Sequence, residues 1–161
     1  MTKRRIFTTV GIALAALTVG AALPRHKEQV TSHRSPVTAV SVVVYKDPNC
    51  GCCKVWIEHL RKHGFEVTSH DTPNMNEPKA TGGVPAKLHS CHTAFVNGYV
   101  VEGHVPAADI QRMLTEKPKI AGIAVPGMPI GSPGMEVGNR VDKYDVIAFN
   151  RDGSTRVFAK H

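Results

Sequence analysis

The sequence has few aromatic residues and almost no excess of positive charge beyond its first 35 residues. Aromatic residues make up 6% of the 161 residues, which predicts a core built from aliphatic side chains. The formal net charge is +7, but six basic residues and one acidic residue lie in residues 1–35. The rest of the chain has 14 basic and 12 acidic residues, whereas a phosphate-binding surface needs clustered Lys and Arg on the folded part. This distribution argues against nucleic acid as a partner.

Motifs of several common enzyme classes are also missing. The sequence has no P-loop and no paired-carboxylate arrangement, and residues 127–132 do not link a strand to a helix as a dinucleotide-binding motif would. Ser132 lacks the Gly-x-Ser-x-Gly pattern of a nucleophile elbow. A catalytic dyad of Cys91 and His104 is conceivable, but nothing else in the sequence specifies it.

The N-terminal segment has the three-part pattern of an export signal. Three basic residues near the start precede a charge-free stretch at residues 6–24 that contains a group of small residues. We therefore expect residues 1–22 to be a signal peptide cleaved after Ala22, and residues 23–38 to be a flexible tether. The general secretory route fits the flanking residues better than the twin-arginine route. The apolar part is short for a membrane span, so membrane attachment would arise only through an uncleaved leader.

Alternating strand and helix patterns predict an α/β domain over residues 39–161. Apolar β-branched runs indicate strands, apolar residues at helical spacing indicate helices, and Asn97-Gly98 is typical of a tight hairpin turn. In chain order the predicted elements are strand 40–45, helix 50–63 with Asn49 as N-cap, strand 65–70, one helical turn within 74–79, a short helix within 84–89, strands 93–96 and 99–102, helix 106–116, and strands 144–149 and 155–158. Residues 124–135, with three Pro and three Gly, are expected to form a stiff loop, called the Pro/Gly loop below. The order is similar to a thioredoxin-like core with an additional C-terminal β-hairpin.

All four cysteines lie in two short segments, residues 50–53 (Cys-Gly-Cys-Cys) and residues 91–92 (Cys-His). A secreted domain stapled by disulfides would spread its pairs along the chain. At the first turn of a helix, the backbone N–H groups and the helix dipole favour thiolate. Thiolate is both the nucleophile of disulfide exchange and a soft ligand for copper(I) or zinc. Position alone therefore leaves redox chemistry and metal binding open, beside a structural disulfide with inert thiols.

The number of cysteines favours a metal cluster. Cys50 and Cys53 suffice for a redox pair of C-x-x-C spacing, which leaves Cys52 and Cys91 without a role. A single zinc ion rarely takes adjacent cysteines, and structural zinc sites usually draw on two separated ligand pairs. Thiolates that bridge several copper(I) ions tolerate this crowding, because each sulfur can bind two metals.

Three further side chains are candidate soft ligands. His104 follows the strand at residues 99–102, in line with Cys91 on the preceding arm of the hairpin. Met128 and Met135 lie in the Pro/Gly loop and off any helical stripe. Thioethers suit copper(I) better than zinc, and the alternative role of these methionines is to fill gaps in the core.

Five other histidines are not expected to bind metal. His59 and His63 have the i, i+4 spacing of a helical metal pair, but they lie opposite the apolar face of their helix. We expect both to be solvated. His26, His33 and His161 lie near the chain ends and are expected to be unordered.

Four blocks of the sequence carry a family resemblance. They are residues 45–53 (Tyr-Lys-Asp-Pro-Asn-Cys-Gly-Cys-Cys), 88–94 (Leu-His-Ser-Cys-His-Thr-Ala), 99–106 (Tyr-Val-Val-Glu-Gly-His-Val-Pro) and 124–136, which is the Pro/Gly loop with Glu136. Together they resemble the CopG-type periplasmic copper-resistance proteins. The resemblance implies a thioredoxin-like fold, a multinuclear copper cluster bridged by cysteines, and a role in copper tolerance in the periplasm of Gram-negative bacteria. The ligands that it implies are Cys50, Cys52, Cys53 and Cys91, with His104, Met128 and Met135 completing or shielding the cluster.

One position departs from ordinary thioredoxins. The residue before the third strand, usually a cis-proline that faces the cysteine pair, is replaced by Cys91-His92-Thr93. Pro85 lies several residues too early to take its place. This difference disfavours simple disulfide exchange.

We therefore predict a periplasmic copper-binding protein that holds several copper(I) ions per chain and could cycle them with copper(II). Thiolates would supply affinity and electrons, while the Pro/Gly loop limits access by water and oxygen. A thiol–disulfide oxidoreductase using Cys50 and Cys53 is the first alternative, and it predicts disulfide turnover without metal. A copper chaperone that delivers to an efflux partner is the second, and it needs an exposed site with a docking surface.

Overall fold

The structure, a computed structural model, describes residues 39–161. The predicted signal peptide at residues 1–22, the predicted tether at residues 23–38, and His26 and His33 lie outside the described residues. Among the residues that are described, no helix has the length and apolar character needed to cross a membrane.

The described residues form seven strands and three α-helices. In chain order these are β1 (Val40–Lys46), α1 (Gly51–Lys62), β2 (Phe65–Asp71), α2 (Asn76–Gly82), β3 (His92–Val96), β4 (Tyr99–Glu102), α3 (Ala107–Glu116), β5 (Gly122–Ala124), β6 (Asp145–Phe149) and β7 (Thr155–Lys160). A short 3-10 turn at Ala86–Leu88 precedes β3. Most predicted elements are present, with boundaries that shift by one or two residues.

All seven strands belong to one sheet, in the order β2-β1-β3-β4-β5-β6-β7. β1 pairs in parallel with β2 and antiparallel with β3, and β3 pairs antiparallel with β4. With the three helices, these four strands form a thioredoxin-like α/β core. β5 pairs in parallel with β4 and connects the core to the antiparallel β6–β7 hairpin. The predicted fold, including the C-terminal hairpin, is confirmed.

Both faces of the sheet carry buried residues at β4, β5 and β6. Neighbouring residues of one strand belong to different apolar clusters, as in the pairs Val100 and Val101, Ile123 and Ala124, and Ala148 and Phe149. This follows from the alternation of side chains along a strand. The predicted inward face of α1 is buried: Cys53, Trp56, Ile57 and Leu60. Because Trp56 and Leu60 are completely buried in the larger cluster, α1 has a fixed position on the sheet.

Glycine and asparagine residues end elements where the sequence predicts. Asn97 and Gly98 both have positive φ, 46° and 84°, as the two central residues of the favoured hairpin turn require. Gly64 follows α1 with a φ of 87°, a conformation that costs a non-glycine residue free energy.

The start of α1 differs from the prediction by one residue. Cys50, not Asn49, is the N-cap, and its sulfur accepts the Cys53 N–H at 3.3 Å. Asn49 instead donates its N–H to Asp47 Oδ1 at 2.7 Å, and the Cys50 N–H donates to Asp47 O at 3.0 Å. This turn places the first cysteine sulfur at the unpaired N–H groups of the helix end, which favour negative charge on it when it is reduced.

Two features late in the chain were not predicted correctly. β5 extends from Gly122 to Ala124, whereas the sequence prediction placed no strand there, because three residues are too few to show an alternating pattern. A side chain at Gly122 would collide with the Val100 carbonyl oxygen, so the close pairing of β4 with β5 depends on this glycine. His161 is ordered rather than unordered, since its Nε2 lies 2.7 Å from Asp109 Oδ2 on α3.

Candidate metal centre

Four cysteine sulfurs from two segments meet at the N-terminal end of α1. Cys50 is the N-cap, Cys52 and Cys53 lie in the first turn, and Cys91 comes directly before β3. The four Sγ atoms all lie within 4.8 Å of one another. Lys46, the last residue of β1, pairs with His92, the first residue of β3. The segment that follows β1 therefore lies close to Cys91, which precedes β3. The fold thus brings together all four predicted thiolate ligands.

Two of these cysteines are oxidised. Cys50 and Cys53 form a disulfide, while Cys52 and Cys91 are free thiols. Cys52 Sγ lies 3.5 Å from Cys50 Sγ, and Cys53 Sγ lies 3.9 Å from the Cys91 carbonyl oxygen. The disulfide joins the pair that C-x-x-C spacing suggested for redox chemistry. Two electrons must reduce it to two thiolates before all four sulfurs can act as ligands.

His104 is completely buried, and the Pro/Gly loop sets the orientation of its ring. Its Nδ1 lies 2.8 Å from the Pro133 carbonyl oxygen, and because a carbonyl only accepts, Nδ1 carries the proton. Burial lowers the pKa of His104 below its usual value, so the ring is neutral and Nε2 keeps a free lone pair. That Nε2 lies 3.0 Å from Cys91 Sγ. A neutral imidazole oriented by a carbonyl on its other nitrogen is suited to ligate a metal.

His92 is a second histidine at the same sulfur and was not among the predicted ligands. Its Nδ1 lies 3.3 Å from Cys91 Sγ, and Cys91, His92 and His104 each offer an atom within 4.8 Å of the others. The ring packs on Trp56 with centroids 4.2 Å apart. Its Nε2 is the one buried side-chain nitrogen or oxygen without a hydrogen-bond partner in residues 39–161. Burial holds the pKa of His92 well below its ordinary value, so this ring is also neutral.

The Cys91 thiol is protonated when no metal is bound. Burial raises its pKa to about 12, and the neighbouring Cys52 adds to the increase. Thiolate, not thiol, is the metal ligand, so a metal ion that binds Cys91 must displace this proton. Binding at this sulfur is therefore coupled to proton release.

The Pro/Gly loop lies against the helix end that carries the cysteines. Gly134 has a φ of 88°, and a Cβ atom there would lie 2.8 Å from the Cys52 carbonyl oxygen and 3.0 Å from the Trp56 nitrogen. Met135 is half-buried beside it, whereas the Met128 side chain is 52% exposed. The ligand roles of both methionines stay predictions.

Replacing Gly134 with alanine is expected to destabilise the domain by about 1–3 kcal/mol, because the methyl group would push the loop off α1 in a backbone conformation that favours glycine. Urea unfolding of the reduced protein measures this loss. Gly138→Ala is the matched control, since Gly138 also has positive φ but has no atom within 4 Å of a built Cβ. Equal losses in the two variants would show that the contact with α1 is unimportant.

The prediction that His59 is solvated is wrong, while His63 is exposed as expected. His59 is half-buried, and its Nε2 accepts the N–H of Ala107, the first residue of α3, at 3.1 Å. His63 donates from Nδ1 to the His59 carbonyl oxygen at 2.7 Å. The ring of His59 therefore ties α1 to the start of α3, a tertiary contact that helical spacing alone does not reveal.

Acidification is expected to weaken this link. Burial, and next the charge of His63, lower the pKa of His59 below 6.5, so the folded state binds fewer protons than the unfolded state in that range. The resulting stability is present above about pH 6.5 and is lost as the pH falls towards the folded-state pKa. Between about pH 7.5 and 5.5, the urea midpoint should fall less in His59→Gln than in the wild type. Glutamine keeps a hydrogen-bond acceptor but does not titrate. His70→Gln, at an exposed residue of β2, should behave as the wild type; a His59→Gln profile identical to that of the wild type would contradict the assignment.

The donor set fits a soft metal ion. Thiolate sulfur with neutral imidazole nitrogen suits copper(I) and zinc, whereas magnesium and calcium prefer oxygen ligands. Sulfurs on consecutive residues, Cys52 and Cys53, lie within 4.8 Å of two further sulfurs. This crowding suits thiolates that bridge several ions better than a tetrahedral site around one.

Known proteins resemble this chain in sequence and in fold. The family described as "Protein of unknown function, DUF411" matches residues 88–135. Two solved structures, named copper resistance protein CopG in form 1 and in form 2, are each 50% identical to this chain with a TM-score of 0.73. Each match covers 76% of this chain and 98% of the solved one. No curated protein sequence matches. At this identity and coverage, the chain belongs to the CopG family of copper-resistance proteins.

Proposed function

We propose that this chain binds copper(I) in a multinuclear cluster bridged by Cys50, Cys52, Cys53 and Cys91, and that it serves copper resistance. The observation that carries the proposal is the convergence of all four sulfurs within 4.8 Å of one another. The two solved structures, 50% identical to this chain over a match that covers 76% of it, are named copper resistance proteins. Thiolates bind copper(I) tightly, and a sulfur that bridges two ions lets a small site hold several.

The two buried histidines complete this site from the sheet side. His104 and His92 present nitrogen atoms at 3.0 Å and 3.3 Å from Cys91 Sγ. Both are neutral, so they add ligands without adding positive charge. Met135 and Met128 on the Pro/Gly loop would add thioether ligands or cover the cluster, and His104 is held by the same loop through Pro133.

The disulfide supports a redox role for the same residues. Oxidation of two thiols to the Cys50–Cys53 disulfide releases two electrons and two protons, which balances the reduction of two copper(II) ions to copper(I). In this scheme the reduced protein converts copper(II), an external thiol then restores the dithiol, and the four thiolates together hold copper(I). The site of action is the periplasm, reached through the predicted export signal at residues 1–22.

Anaerobic titration of the reduced full chain with copper(I), in competition with a chromogenic chelator, tests the proposal. We expect several copper ions per chain and weaker retention of zinc in a parallel titration. Binding of a single ion, or a preference for zinc, would refute the multinuclear copper site.

A second candidate is a thiol–disulfide oxidoreductase, because the Cys50–Cys53 disulfide lies at the N-terminal end of α1 in a thioredoxin-like fold. It predicts that the metal-free dithiol reduces a test disulfide with repeated turnover. Weak copper binding together with such turnover would favour this function. It would leave Cys52 and the histidine-flanked Cys91 without a role.

A further inference from the structure

A buried ion pair lies behind the segment that carries Cys91. Lys79 of α2 and Glu102 of β4 have side chains that are 6% and 0% exposed, and Lys79 Nζ lies 2.5 Å from Glu102 Oε1. Removing two charges from water costs several kcal/mol per ion, and their attraction often only balances this cost. The pair is therefore a poor device for stability alone, and its hydrogen bonds indicate another role.

Both carboxylate oxygens of Glu102 hold the chain on either side of Cys91. The Ser90 N–H donates to Glu102 Oε1 at 2.6 Å, and the Thr93 hydroxyl donates to Oε2 at 2.7 Å. Lys79 completes the network by donating to Thr93 Oγ1 at 3.3 Å. Cys91 and His92 lie between these two anchored residues, so Glu102 fixes both ends of the dipeptide that faces α1.

Ser90 is also held from its other side. Its hydroxyl donates to the Gly127 carbonyl oxygen of the Pro/Gly loop at 2.5 Å. A Cβ atom on Gly103, the residue after Glu102, would lie 2.5 Å from Ser90 Oγ, so only glycine permits this approach. The short segment before β3 is thus clamped between β4 and the loop.

We propose that Glu102 is a positioning residue for the cysteine site, with Lys79 as its counterion. By anchoring Ser90 and Thr93, it sets where Cys91 and His92 stand relative to the cysteines of α1. The consequence for metal binding rests on the proposed copper function, whereas the consequence for the Cys91 thiol does not. Loss of the anchor leaves the fold in place but lets Cys91 swing away from Cys52 and towards solvent.

The test compares two variants that weaken the network with one that removes the charge from a buried carboxylate elsewhere. Glu102→Gln removes the charge and one acceptor, and Thr93→Val removes only the hydroxyl. Asp109→Asn is the matched control, because Asp109 is also buried and pairs with His161 at 2.7 Å away from this segment. Each reduced, metal-free full chain is first unfolded in urea so that variants of equal stability loss can be compared.

Two readouts are taken from these proteins. The first is the rate of iodoacetamide alkylation at Cys91 relative to Cys52, followed by peptide mass spectrometry, which needs no copper. We expect this ratio to rise by about threefold or more in Glu102→Gln and Thr93→Val, because a freed segment opens to solvent more often. The second is copper(I) affinity by chelator competition, which should fall by about 10–100-fold, as for other residues that orient metal ligands. Asp109→Asn should change neither.

The two readouts separate this proposal from the proposed function. A chain that does not bind copper(I) but shows the higher alkylation ratio would keep the positioning role and overturn the copper site. Wild-type alkylation ratios in folded Glu102→Gln and Thr93→Val would overturn the positioning role, and so would the same increase in Asp109→Asn. If Glu102→Gln does not fold, Thr93→Val decides alone.

Discussion

Replacing Cys91 with serine is expected to abolish multinuclear copper binding. Cys91 supplies the one cysteine sulfur of the site that does not come from α1 or its N-cap, and His92 and His104 both approach that sulfur. Serine keeps the size of the side chain but replaces a soft sulfur with a hard, protonated oxygen. Residues that merely orient a metal ligand usually change the affinity by about 10–100-fold. We expect a larger loss of copper(I) affinity in Cys91→Ser.

The measurement is chelator competition under anaerobic conditions, with the number of copper ions per chain determined at saturation. His63→Ala is the control, since His63 is exposed and its ring donates to the carbonyl oxygen of His59, one turn before it. That variant should keep the affinity and stoichiometry of the wild type. Full copper stoichiometry in Cys91→Ser would mean that the three cysteines at the start of α1 hold the metal without Cys91. That result would contradict the proposed four-cysteine cluster.

Oxidation is expected to prevent copper loading almost as completely. The Cys50–Cys53 disulfide takes two of the four sulfurs out of the thiolate set, which leaves Cys52 and Cys91 with the two imidazoles. Disulfide sulfur is a far weaker ligand than thiolate, because it carries no negative charge and donates its lone pairs less readily. We expect the oxidised chain to lose its multinuclear binding and about a hundredfold or more in copper(I) affinity.

Parallel copper(I) titrations of oxidised and reduced protein, with free thiols counted by mass spectrometry after alkylation, measure this difference. Cys50→Ser is the matched control, because it cannot form the Cys50–Cys53 disulfide and should lose less copper binding on mild oxidation than the wild type does. Equal copper loading of oxidised and reduced wild-type protein would contradict a role for all four sulfurs. It would place the metal on Cys91 and the two histidines instead.

These expectations share one physical feature, a site buried enough to keep its histidines neutral. Burial lowers the pKa of both His92 and His104 and raises that of Cys91. A cation that enters such a site meets neutral nitrogen and sulfur donors and replaces a proton on sulfur. Copper(I) affinity should accordingly increase with pH, because binding at Cys91 releases a proton.

Local sequence signals were sufficient for most of the fold. The β-branched run of β1, the glycine after α1 and the Asn97-Gly98 turn each act over a few residues, so their structural outcome does not depend on distant contacts. β5 was missed because its three residues form a strand only through pairing with β4 and β6, and Gly122 serves the pairing with β4 rather than a turn. His161 was misjudged for the same reason, since its partner Asp109 lies 52 residues away.

The same distinction between local sequence signals and contacts of distant residues applies to the candidate site. The sequence by itself determined that three cysteines stand at the start of a helix, that a fourth precedes a strand, and that a stiff loop follows. The tertiary structure decided that β1 and β3 are neighbours, which brings Cys91 to the helix, and that His92 points to its sulfur from a buried strand. It also decided that His59 joins two helices and that Glu102 holds the Cys91 segment, because a partner distant in the chain leaves no periodic trace in the sequence.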